Sequence, residues 1–206
     1  MPLATRMRMG GTSITTISNV QAASTTLTSR SFGTEASDRW IVVAWACREN
    51  SDATTITIGG VSGTIVQDRN ASASSDMVVG LAYAQPTGTS GDIVINGLSN
   101  AKMVSVFRVI KSRRGVISTY NAEAATVSGV SIPVGGGLVA VSSNIIESTA
   151  RTWSNATEQD DTSFSSGGQS SRFCSASRSY TDGVLSSASV GVDGGTYPVC
   201  CAVVFG

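Results

Sequence analysis

A chain of 206 residues with 41% apolar and only 14% charged side chains can bury a sizeable core, which excludes a disordered chain. Its formal net charge is zero and two of its fourteen basic residues are lysines, Lys102 and Lys111. The one basic cluster, Lys111, Arg113 and Arg114, lacks the interleaved aromatics or extended stripe that phosphate tracking needs, so nucleic-acid binding is not expected. With no histidine, the Ser-His-Asp and Cys-His systems and histidine metal centres are excluded.

In chain order, Met1 to Thr12 has Arg6 and Arg8 but no apolar core of a secretory signal, and reads as the start of a cytosolically made chain. Residues 1–32 read as a Ser/Thr-rich lead-in or docking arm, with short strands at Ile14 to Val20 and Thr25 to Ser29. Trp40 to Cys47 (W-I-V-V-A-W-A-C) is a buried strand, far too short to cross a membrane. Thr54 to Ile58 alternates strictly, Gly59-Gly60 turns the chain, and Val61 to Gln67 follows as a strand. Asp68 to Asp76 reads as a displayed loop, and Met77 to Gln85, Ile93 to Asn96 and Met103 to Ile110 as further strands.

The second part repeats the first in outline. Leu138 to Ser143 matches Trp40 to Cys47, Thr152-Trp153-Ser154 falls where Ile56-Thr57-Ile58 fell, Phe173 to Tyr180 matches Met77 to Gln85, and Val199 to Phe205 matches Met103 to Ile110. The offsets stay between about 95 and 98 positions. The reading is an all-β chain: an antiparallel β-sandwich domain over 33–206, jelly-roll-like, built from two related halves, 33–115 and 116–206.

Trp40 to Cys47 and Val199 to Phe205 are apolar on both faces, and a two-layer sandwich covers only one. The second face must lie under a loop, against the other half or in a subunit interface. The interface is favoured here, with Val199, Val203 and Phe205 as its contact residues. Cys47, Cys174, Cys200 and Cys201 stand in apolar contexts without metal-ligand spacing and read as buried free thiols.

For chemistry, Glu158, Asp160 and Asp161 cluster near Trp153, and paired acids beside an aromatic are what a sugar cleft requires. Adjacent acids in the polar stretch Asn155 to Ser171 are more simply a solvated, outward-facing loop. That reading makes Trp153, Glu158, Asp160 and Asp161 candidates for contact with a glycan or partner, not catalytic residues. No metal site and no cofactor are expected.

The segments D-R-W-I-V-V-A-W-A (Asp38 to Ala46), T-I-T-I-G-G-V (Thr55 to Val61) and A-Q-P-T-G-T-S-G-D-I-V-I (Ala84 to Ile95) together resemble a pattern in virion proteins of tailed bacteriophages. The resemblance implies a cofactor-free β-sandwich subunit of a tail, fibre or head decoration, acting within the virion. It further implies a homo-oligomer, trimeric by preference, contacting other virion proteins and in some settings a host-surface glycan.

Overall fold

The structure, a computed structural model, describes residues 11–71, 76–145, 149–181 and 183–206. These residues are organised as strands, with every pairing antiparallel. The first half contains β1 (Ser13–Ala22), β2 (Thr26–Ser31), β3 (Trp40–Cys47), β4 (Thr55–Ile58), β5 (Val61–Ser62), β6 (Thr64–Asn70), β7 (Met77–Ala84), β8 (Ser90–Asn96) and β9 (Lys102–Ile110). The second contains β10 (Val116–Ala122), β11 (Thr126–Ile132), β12 (Gly137–Ile145), β13 (Trp153–Ser154), β14 (Thr157–Ser166), β15 (Gln169–Ser179), β16 (Leu185–Val192) and β17 (Val199–Phe205).

Each half makes a large sheet and a small one. The large sheets run β1-β9-β3-β7-β6 and β10-β17-β12-β15-β14; the small ones run β2-β8-β4-β5 and β11-β16-β13. Reading β1 against β10, β2 against β11, and so on to β9 against β17, with β5 left over, gives the same strand order in both halves. The irregularities agree as well. The register of the first strand slips at Ile17 in one half and at Ile117 in the other. The second strand slips after Leu27 and after Val127, where Ser29 and Gly129 both take positive φ.

The side chains of β3 and β17 alternate between two dry cores, and this explains why both strands are apolar throughout. Ile41, Val43 and Trp45 face the small sheet of the first half, while Cys200, Ala202 and Val204 face that of the second. Their other neighbours, Val42 and Ala44 with Val199, Val203 and Phe205, meet in a third core between the two large sheets. Gly80 is required here, because a Cβ on it would lie 2.2 Å from Trp45 Cζ2.

Two expectations are corrected by this four-layer arrangement. Val199, Val203 and Phe205 are fully buried against the other half of the same chain, so their second face is covered internally and is not a subunit interface. Residues 13–31 are no separate arm, since β1 pairs with β9 along its length and β2 pairs with β8. Residues 1–10 of that lead-in lie outside the described residues.

The halves touch through reciprocal contacts. Thr16 on β1 donates to Gln159 Oε1 on β14 at 2.8 Å, and Asn121 on β10 donates to Asp68 on β6 at 3.0 Å. Ser105 on β9 meets Ser175 on β15 at 3.1 Å, and the Cys201 thiol on β17 donates to Val79 O on β7 at 3.5 Å. Equivalent strands exchange partners, the pattern of an isologous pair. The short linker Lys111–Gly115 joins them, and Arg114 N–H donates to Gly206 O at 2.8 Å, so the residue after β17 is held beside it.

Candidate functional site

The stretch Asn155 to Ser171, expected as a displayed loop, is instead most of a hairpin: β14 is an outer strand of the second large sheet and pairs with β15 from Thr157 to Ser166. Gln159 forms a bulge between Glu158 and Asp160. An outer strand offers unpaired backbone groups to other chains. Three acids and a bulge are what blunt such an edge.

Trp153 is corrected too. It is 9% exposed, pairs with Val192, and packs in the second half's internal core with Cys174, Tyr180 and Val190, so it is not a surface stacking platform. It stands where the first half places Ile56, which pairs with Ile95 and is buried likewise. Its indole Nε1 is buried and has no hydrogen-bond partner.

The three acids do different things. Asp161 Oδ1 takes the Arg172 Nε–H and, at 3.2 Å, the Cys174 thiol, while its Oδ2 takes the Arg151 backbone N–H at 2.9 Å. Arg172 also donates to Asp161 O at 2.9 Å and Ser163 Oγ at 3.0 Å. Burial pushes the Asp161 carboxyl up, but these donors outweigh it and hold the group below its ordinary range. Asp160 points to the opposite face, across from Ser175, towards the other half. Its Oδ1 accepts from Thr162, its Oδ2 is buried without a partner, and burial raises its pKa. Glu158 is exposed, with its pKa raised by partial burial and then by the Asp161 charge. Because Asp160 and Asp161 leave the strand on opposite faces, they do not converge on one bond.

Asp161 has a counterpart that sequence reading missed. Gln67 on β6 accepts from Ala53 N at 3.1 Å and donates to Ala53 O at 3.0 Å, fastening the approach to β4 as Asp161 fastens the approach to β13. Three other buried charged groups were missed. Arg39 donates to the carbonyls of Gly33, Pro86 and Gly88. Glu49 accepts from Ser99 N and Oγ at 2.9 and 2.6 Å and from the backbone N–H groups of Asn50 and Asn100 at 3.2 Å. Lys102, fully buried opposite Cys47, donates to Ser24 O at 3.2 Å. Each stands at the rim of an apolar strand, a position that in sequence looks the same as a solvated flank.

All four cysteines are buried free thiols, as expected. Burial pushes Cys47 and Cys200 up to about 12, which leaves almost no thiolate at neutral pH. Among the described residues no group of three or more Cys, Asp or Glu side chains is placed to hold a metal ion. No protein-family model, curated protein or solved structure matches the chain.

Proposed function

We propose that the chain is a structural subunit of a tailed-bacteriophage particle, on the tail or the capsid surface, assembled with copies of itself and other virion proteins and contributing to host attachment. Each half is taken as a jelly roll, with β1-β9-β3-β7 facing β2-β8-β4-β5. The observation that carries the reading is the use of the polar groups: Asp161, Arg172, Glu49 and Arg39 all bind backbone or one another to brace loops and strand ends. The sequence resemblance over Asp38 to Ile95 supports the same class. A glycan reading is not favoured, because its stacking residue, Trp153, lies in the core.

Antibody against the chain, applied to particles from a lysate in which it is made from its own genome, should label tail or capsid in electron micrographs. Unlabelled particles beside abundant soluble chain would overturn the reading.

A further inference from the structure

The two ends of the paired sandwiches differ in chemistry. At the end where the linker joins the halves lie Lys111, Arg113 and Arg114, together with Arg178 at the finish of β15, next to Ser179, which pairs with Gly137. These four are all the exposed cations among the described residues. The same end carries four of the five exposed large apolar side chains among them. Val134 and Val184, each 63% exposed, flank the Ile132–Leu185 pair; Ile117 follows Val116, which pairs with Phe205; and Val61 follows the turn closing β4 onto β5. Two exposed acids lie at this end, Glu35 and Asp92, and they accept from the backbone N–H groups of Gly88 and Ser29; a third, Glu158, lies on the outer strand opposite Ala176.

The opposite end carries exposed acids: Asp52 after β3, Glu123 between β10 and β11, and Asp193 between β16 and β17, with the fifth exposed apolar residue, Tyr197, in the same loop as Asp193. Asp52 and Asp193 lie 3.8 and 4.0 Å from Arg69 and Arg151, but their side chains are 53% and 55% exposed against 33% and 11% for the arginines. The acids therefore face outward.

We infer that copies of this chain dock end to end, the cationic valine-bearing end of one on the acidic end of the next. The inference rests on the structural-subunit reading and names its contact surface. Charge complementarity identifies the occupant: among the described residues one end holds every exposed cation, with its acids bound to backbone, and the other holds Asp52, Glu123 and Asp193 without an exposed cation, so the surface that the first end fits is the far end of a second copy. Arginine, tyrosine and apolar side chains are the types that interface centres favour. Because the two patches differ, the contact is heterologous and propagates as a column.

Light scattering tests this at roughly 0.01 M and roughly 1 M salt, where the screening length is about 30 Å and about 3 Å. Mass should rise with concentration at low salt, and association should weaken by about tenfold or more at high salt. Arg113→Glu/Arg114→Glu and Asp52→Lys/Asp193→Lys should each stay folded by circular dichroism yet fail to associate alone, and should associate when mixed. Association of either variant alone at wild-type strength would overturn end-to-end docking while leaving the structural-subunit reading standing. A closed trimer indifferent to these charges would do the same. A wild-type chain that stays monomeric at low salt also overturns the docking, whereas the particle-labelling experiment decides the subunit reading independently.

Discussion

Gln67 and Asp161 hold corresponding stretches of backbone, Gln67 through both polar groups of Ala53 and Asp161 through the N–H of Arg151. The chemistry is not equivalent, since Asp161 also neutralises Arg172, and the two side chains are only 7% and 11% exposed. Asp161→Ala leaves a buried guanidinium without its carboxylate and should cost about 3–5 kcal/mol. Gln67→Ala, which removes neutral hydrogen bonds, should cost about 1–3 kcal/mol. Urea unfolding of the two variants checks the order; equal losses would mean that Arg172 finds other compensation.

The neighbouring acids predict opposite pH responses. Asp161 is held below its ordinary 3.8, so its contribution is complete above that value and is lost as pH falls through the lower, folded-state pKa. Asp160 is raised, chiefly by burial, so its ionisation opposes folding above the folded-state pKa and the penalty is relieved as pH falls through it. Asp160→Asn should therefore stabilise the chain at neutral pH and remove that relief in acid, whereas Asp161→Asn should destabilise at neutral pH and flatten the acid loss. Unfolding midpoints from roughly pH 7 to roughly pH 3 compare the two directly. Matching profiles for both variants would contradict the assignment.

Phe205 closes the core between the large sheets, 6.3 Å from the Trp40 ring. Phe205→Ala should lower global stability by about 3–5 kcal/mol and leave the self-association behaviour of the folded chain unchanged. A reduced association constant at unaltered stability would return Phe205 to an interface.

What the sequence made legible follows burial. Trp40 to Cys47 and Val199 to Phe205 show their observed bounds in the sequence because both faces of each strand are apolar, so no partner need be known. T-E-Q-D-D-T-S-F-S-S reads as a loop because it has little apolar alternation, and it is the strand β14 through its pairing with β15. The correspondence of strand order between the halves is legible in the sequence from Trp40 onward. It is not legible in the first two strands, where Ile17 and Ile117 sit at matching bulges but in weakly apolar, Ser/Thr-rich surroundings. At the candidate site the clustering of the acids was legible, but their facing was not, since the bulge at Gln159 and the strand's position at the sheet edge decide it. Trp153 looked exposed because β13 is two residues long and its flanks are polar.

Trp153 supplies the next test. Trp153→Phe keeps most of the buried ring and loses an N–H that has no partner, so it should cost under about 2 kcal/mol, while Trp153→Ala opens a cavity worth about 3–5 kcal/mol. Neither change should alter the retention of the folded chain on a glycan array. Specific retention abolished by Trp153→Phe would show that the indole reaches a ligand.

Lys102 is the clearest case of a charge the fold holds at a cost. Its ammonium is fully buried, Ser24 O is its hydrogen-bond acceptor, and burial lowers its pKa below the ordinary 10.5 although Cys47 and Glu49 act the other way. A lysine whose folded-state pKa is depressed penalises folding at every pH below that value, and the penalty fades as pH rises through it towards 10.5. Lys102→Met keeps the aliphatic stem and removes the charge, so at neutral pH it should be neutral or stabilising by about 1–2 kcal/mol. The difference between wild type and variant should shrink as the solution becomes alkaline. Urea midpoints at neutral and alkaline pH measure it. A variant destabilised at neutral pH would mean that the hydrogen bond to Ser24 and the Glu49 charge outweigh desolvation, and that Lys102 braces the end of β9 as Arg172 braces β14.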